Sequence, residues 1–414
     1  MSTPSLLNIP YLYKAGTLYS QIPESGAGDF SVSRTTTVAN RSTRINKDGF
    51  IETVLDNVPR LDYPLGGAVN GCPALLVEPS AQNIFQRSEE FNDAYWVKNL
   101  ASFTQNSIIA PDGTNTADKI FATAAPGNHF FTRTSTQTGQ HTFSIFVKAS
   151  EYSFIRLQDV NSGTYNVSFN LLAGVASGTG ASIQNYGNGW YRCIVTYNGG
   201  GLSVSNGFIG VSTLAGSISY TGDGVSGVFV WGAQLETGSV PTSYIPTTTA
   251  AVTRSAEVIS DTTATALIGQ TEGTIYWEGA ISRIDRVIFS LAQGTSVTNF
   301  IYLQTLSNGF FRADASVNGS ATCAILSLAT ATLGQFYKIA FAYKENDFAL
   351  YINGVLQGSD NLGALPSGLS NAIFARGDSS LITDQRCRNI AIYPNRIPNT
   401  AAPGVLSLAT LTAP

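Results

Sequence analysis

Charge is the first thing this sequence lacks. Only 12% of its 414 residues are Asp, Glu, Lys or Arg, about half the ~25% usual in soluble proteins. The balance is near neutral, Lys+Arg 23 against Asp+Glu 27, so there is no basic footprint for nucleic acid. Histidine is almost absent: His129 and His141 are the two, too few for a zinc site and a poor start for a His-based triad. The four cysteines stand singly at Cys72, Cys193, Cys323 and Cys387, with no CxxC to suggest zinc or redox chemistry. Only Cys323 and Cys387 are placed to meet, within one C-terminal domain; the simpler reading of each is a small buried hydrophobe. No apolar run approaches the ~20 residues of a membrane helix, so membrane insertion is not expected. Met1–Lys14 has neither a basic start nor a sustained apolar stretch, and Pro4 and Pro10 interrupt it; no signal peptide is expected.

What is present is Gly (40 residues), aromatic side chains (11%) and a 43% hydrophobic content. That is enough apolar material for packed cores, which excludes disorder. At roughly 150 residues per domain the length fits two or three. The economy predicts an all-β protein with an irregular N-terminal docking region followed by two β-sandwich (jelly-roll) domains. Residues 1–81 hold only short apolar pieces such as Phe30–Val32 between turn signals like Lys47-Asp48-Gly49, and read as a docking or oligomerisation region. From 82 to 247 short strands repeat without helices between them, and Phe143 and Ile145 alternate against Thr142, Ser144 and Phe146, the pattern of a jelly roll. A Thr- and Pro-containing linker is expected over 248–269 and a second sandwich over 270–398. There Asn353-Gly354 signals a type I′ hairpin. Residues 399–414 read as a loosely held tail.

Several stretches together resemble a module of tailed-bacteriophage structural proteins, which there precedes a jelly roll like that of carbohydrate-binding modules. They are Arg44–Val54, Asn57-Val-Pro-Arg-Leu-Asp-Tyr63, Cys72-Pro-Ala-Leu-Leu-Val-Glu-Pro79, Gly187-Asn-Gly-Trp-Tyr-Arg192, Val230-Trp-Gly-Ala-Gln-Leu-Glu236 and Pro241-Thr-Ser-Tyr-Ile-Pro246. The last domain, through Tyr337–Tyr343 and Phe348–Leu356, is similar to concanavalin A-like or laminin-G-like sandwiches. The resemblance implies a non-enzymatic virion protein, a head or tail fibre, spike or decoration that adheres to a host glycan or protein. It implies attachment to capsid or tail proteins through the N-terminal region, location in the virion, and self-association, with a trimer expected. The alternatives are a tailspike-type glycan depolymerase and a bacterial cell-surface lectin.

Chemistry-bearing residues are few. Glu236, Asp223, Glu278 and Asp285 are the carboxylates from which a glycoside-cleaving pair would have to be drawn, and nothing in the sequence joins any two of them. Gly199–Gly201 lacks the Lys-Ser/Thr of a phosphate loop. No cofactor is expected; a structural calcium ion is the one exception left open, with Asp159, Asp223 and Asp378 as loop ligands but no EF-hand spacing. Sugar recognition needs aromatic faces, which makes Trp96, Trp190, Trp231 and Trp277 the suspects. Trp190 and Trp231 lie in apolar strands and belong to a core, whereas Trp96, in the polar Asn92-Asp-Ala-Tyr-Trp-Val, points to a surface. Both histidines are expected at surface positions. Loops on a rigid sandwich are the usual place for contacts, which nominates Arg376 and Asp378 in Arg376-Gly-Asp378, with Asn346 and Asp347 at another turn; for each, a plain solvated turn is the simpler reading. Asn40, Asn166 and Asn318 begin sequons without meaning in a bacterial host.

Overall fold

The computed structural model describes residues 3–38, 41–64, 71–159, 163–206, 209–212, 219–402 and 404–414; Asn40 falls outside them. The chain is nearly all β, and its strands form two sandwiches. One sheet of the C-terminal sandwich is centred on Glu272–Ile281. On one side it adds Phe336–Lys344, Phe348–Ile352 and Val355–Asp360, and on the other Gln385–Tyr393. The facing sheet runs through Val258–Asp261, Asn371–Ile373, Arg286–Ala292, Phe300–Thr305, Phe310–Val317 and Ser320–Thr330. Side chains alternate along a strand with period two, so Ile275 and Trp277, Ile339 and Phe341, and Ile301 and Leu303 all point into one core. Asn353 and Gly354 both have positive φ (47° and 81°) and close the hairpin that sets Ile352 opposite Val355, as a type I′ turn demands.

The described residues of the segment 1–81 do not stand apart from this sandwich. Leu6–Asn8 and Ala74–Val77 both pair with Gln385–Tyr393, with Leu6 opposite Ile392 and Leu75 opposite Cys387. Arg60–Asp62 extends that sheet, while Phe30–Ser33 pairs with Val258–Asp261 in the other. Leu6, Phe30, Val32, Leu61, Leu75 and Val77 thereby enter the same core. Pieces of three or four residues cannot fold alone, but added to an existing sheet each pairs its backbone groups and buries alternate side chains. The expected linker also carries strands, Val252–Arg254 and Val258–Asp261.

The jelly roll is inserted into this framework. The chain leaves through Ala81–Asn83 and returns through Val252–Arg254, and these two strands pair with each other. Between them one sheet is built on Phe130–Ala149, flanked by Trp190–Asn206 and Gly227–Thr237. A smaller sheet of Phe154–Gln158, Asn166–Asn170, Val175–Ser177 and Ile209–Ser212 covers it. Phe143 and Ile145 face the core between them. Phe146 points the other way and is buried too, with Trp190, Trp231 and Tyr244, under the hairpin Ser42–Ile45/Ile51–Val54 through Ile45 and Ile51.

A buried polar weld joins the parts. Arg60 donates to Glu257 (Nε–Oε1 2.5 Å) and to Glu78 (Nη2–Oε2 2.6 Å), and Arg34 to Glu257 (3.2 Å); Arg254 lies in ion-pair contact with Glu78 (2.6 Å) and donates to the Ser243 hydroxyl. Ser243, from the end of the jelly roll, donates its amide and hydroxyl to Glu78, both at 2.7 Å. Burial favours the neutral acid, but the Arg254 and Arg60 charges hold Glu78 well below the usual carboxylate range.

The C-terminal tail is docked rather than loose. A short helix, Leu408–Leu411, opens with a capping box between Ser407 and Thr410. Leu408 is fully buried against the outer face of the first sheet, which Ala340, Ala342, Ala349 and Ala391 keep flat.

Candidate functional site

The tryptophans are structural. Trp96 does not reach the surface: it is 1% exposed, packed among Phe85, Phe91 and Phe131 with ring centroids 5.2–5.5 Å away, and its Nε1 donates to the Arg87 carbonyl. The polar residues around it form the turns that cap this cluster, which is why the local sequence misleads. Trp190, Trp231 and Trp277 are buried as well, the last donating to Gln385. The histidines are buried rather than superficial. His129 lies between the carbonyls of Leu100 and Tyr220, and His141 packs near Tyr197.

Nor do the carboxylates assemble into a pair. Glu236 is buried and accepts from the Thr242 amide and hydroxyl and from Gln234, and burial raises its pKa. Asp223 caps its own turn through Val225 and Ser226. Glu278 accepts from the Tyr276 hydroxyl (3.2 Å), and Asp285 is exposed beside Arg286. Asp159 accepts from the Thr164 amide. The four cysteines are free; Cys323 and Cys387 sit in opposite sheets, and burial pushes the Cys323 thiol up to about 12.

The loop nominees are held by local bonds. Arg376 forms a two-point pair with Asp378 (Nε–Oδ1 3.1 Å, Nη2–Oδ2 2.8 Å), and Ser380 donates its amide and hydroxyl to the same carboxylate. These donors hold Asp378 well below the usual carboxylate range, the Arg376 bond most. Asn346, at φ 58°, accepts from the Gly363 amide, and Asp347 accepts from Arg396 (2.7 Å). The two pairs share no partner.

Arg376 nevertheless borders a richer surface. On the outer face of the sheet, Phe300, Tyr302 and Gln304 alternate with the core residues Ile301 and Leu303. On the next strand Arg312, Asp314 and Ser316 alternate with Ala313 and Ala315. The antiparallel register sets Tyr302 opposite Asp314 and Gln304 opposite Arg312. The Phe300 and Tyr302 rings stack with centroids 4.0 Å apart and an 11° tilt. Asp314 accepts from Arg312 (2.6 Å) and from Gln304 (2.7 Å). Burial pushes its carboxyl up to about 6, against the pull of Arg312. Burial, with Asp314 close by, raises the Tyr302 hydroxyl to about 12, and Arg376 is near enough to act in the opposite sense. A depression of about 150 Å³ is lined by Phe300, Tyr302, Arg312 and Asp314 among others. Residues Tyr302, Arg312 and Asp314 were missed in the sequence; the signal available was two neighbouring strands with aromatic and charged residues at every second position.

This face lies inside a recognisable segment. Residues 279–388 match the family described as the concanavalin A-like lectin/glucanases superfamily. No curated protein matches the chain in sequence. Among solved structures, the carbohydrate-binding module of the Ruminococcus gnavus IT-sialidase, bound to α2,3-sialyllactose, is 15% identical, with a TM-score of 0.29 over 35% of this chain and 84% of that one. The receptor-binding domain of botulinum neurotoxin type G is 11% identical (TM-score 0.27; 34% and 37% covered), and a galectin of Caenorhabditis elegans is 10% identical (TM-score 0.23; 30% and 84%). At these scores the likenesses carry nothing about what this chain binds.

Proposed function

We propose that the chain is a non-enzymatic adhesion protein, a capsid- or tail-attached fibre or spike of a tailed bacteriophage, and that the outer face around Tyr302 contacts a host-surface glycan. The observation that carries the glycan reading is the stacked Phe300–Tyr302 pair beside Arg312, Asp314 and Gln304, within the segment that matches the lectin/glucanase family. An aromatic face packs against the C–H side of a sugar ring, while a guanidinium, a carboxylate and an amide within hydrogen-bond reach of one another suit its hydroxyls. Few charges are available for long-range steering, so a neutral glycan is favoured and binding should depend weakly on salt. The virion reading rests on the resemblance of the segments from Arg44 to Pro246, and self-association as a trimer belongs to the same proposal.

The test is binding of the full-length protein to host cells and to an array of surface glycans. Tyr302→Ala and Arg312→Ala should each weaken binding at least tenfold, and Arg376→Ala by less, because Asp378 occupies its guanidinium. Binding unchanged by Tyr302→Ala and Arg312→Ala would overturn the assignment of the face. Release of reducing ends from a bound glycan would overturn the non-enzymatic reading. Images of labelled particles locate the protein on head or tail, and sedimentation reads the oligomer.

A further inference from the structure

A cavity of about 550 Å³ opens where the N-terminal segment, the jelly roll and the C-terminal sandwich meet, a size usual for small-molecule sites. Asp62 and Tyr63 come from the N-terminal segment, Gln184 and Tyr186 from the jelly-roll strand Ala181–Gly187, and Asp384 and Arg386 from the sandwich. It shares no residue with the outer face around Tyr302.

Most polar groups on its walls already have partners. Arg192 donates to Ser144 and to the Thr242 carbonyl, and Glu78 belongs to the buried weld. Asp62 accepts from the Ile45 amide and from Arg386 Nε, both at 2.7 Å. Asp384 is different. It is 2% exposed, yet among the described residues no group donates a hydrogen bond to its carboxyl. Burial, with Glu78 nearby, pushes the Asp384 carboxyl up to about 7, against Arg386 and Arg283. Arg386 uses only Nε, which leaves its two terminal amino groups unengaged, and the amide of Gln184 and the hydroxyls of Tyr63 and Tyr186 bond to no described residue either. Acceptor, donors and two aromatic rings thus line one space. Arg44, Arg192 and Arg386 share the walls with Asp62, Glu78 and Asp384, so even with Asp384 partly protonated near pH 7 there is no large excess of either sign to favour a cation or an anion.

We propose that this cleft is a second binding site, for a neutral saccharide whose hydroxyls donate to Asp384 and accept from Arg386 while its ring lies between Tyr63 and Tyr186. The experiment uses the full chain carrying Tyr302→Ala, titrated calorimetrically with neutral di- and trisaccharides of glucose, galactose and N-acetylglucosamine and with sialyllactose as the anionic comparator. At least one neutral saccharide should bind at one site per chain. Adding Asp384→Asn should weaken that binding at least tenfold, and so should Gln184→Ala, whose exposed position makes loss of folding an inadequate explanation. Absence of neutral-saccharide binding in the Tyr302→Ala chain overturns the cleft, whatever the outer face does. So does binding that survives both added substitutions, or binding of sialyllactose alone. Neutral binding that persists through Tyr302→Ala and disappears with Gln184→Ala upholds the cleft even if the outer face proves inert.

Discussion

The two sandwiches use the same alternation of apolar and polar residues but are assembled in different ways. The jelly roll closes from one continuous stretch, its longest pairing joining Phe130–Ala149 to Trp190–Asn206. The C-terminal sandwich draws strands from both sides of that insertion: Gln385–Tyr393 is flanked by Glu272–Ile281, Leu6–Asn8 and Ala74–Val77. Continuity, more than core size, therefore decides which unit can stand alone. Distant strands must close long loops before their contacts stabilise anything, and without them the sandwich keeps unpaired strand edges and an open core.

The largest expected effect breaks the comparison outright. Residues 84–247 expressed alone should melt cooperatively, whereas 270–398 alone should not, because it lacks Leu6, Phe30, Leu75 and Val77 from its core. Circular dichroism on heating reads both, and a sharp transition in the second piece would count against the shared core.

Next comes the weld. Arg60→Ala leaves Glu257 and Glu78 buried with less compensation, and breaking a buried pair in this way costs about 3–5 kcal/mol. In guanidinium chloride the single transition expected of the whole chain should split, with the jelly roll unfolding at its original midpoint. Removal of residues 404–414 should cost less, about 2 kcal/mol, the lower end of the range for emptying one buried leucine site; the loss should appear only in the sandwich transition, because Leu408 packs within the cluster on that unit's outer face.

The last prediction concerns pH. Asp384 has a folded pKa near 7 against an ordinary 3.8, so between about pH 4 and 7 the native state keeps a proton that the unfolded chain has released. Its contribution to stability is therefore present at low pH and is lost as pH rises through that window. Urea midpoints across pH 4–8 should decline less in Asp384→Asn than in the parent, and parallel profiles would show that the carboxyl is solvated in the native state.

The sequence shows what is local. Phe143 against Phe146, and the turn at Asn353-Gly354, follow from period and from the conformational freedom of two residues. The pairing of Leu6 with Ile392 leaves no local trace, since a three-residue apolar piece reads the same whether it ends a loop or completes a sheet. Gly199 shows the reverse case. Its neighbours suggest a turn, but it lies inside a strand, where a Cβ would come within 2.6 Å of the Gln137 carbonyl, so glycine here permits close approach rather than reversal. The motif residues Arg60, Glu78 and Ser243 are distinctive in sequence, but their role as a weld depends on Glu257, which no motif flags. The Tyr302 face left only alternating aromatic and charged positions as its trace, which by themselves single out no site. The cleft left none, because its walls come from segments that meet only after folding.

The neck formed by Ala81–Asn83 and Val252–Arg254 has a consequence for how such proteins diversify. Its two strands place the entry and exit of the jelly roll side by side, so a recombination event that exchanged everything between them would leave the host framework continuous. Exchange would not be free of constraint, because the host hairpin presents Ile45 and Ile51 to the incoming module. A new module must arrive with an apolar face that accepts them. The hairpin therefore acts as a fitting that any exchanged part has to match.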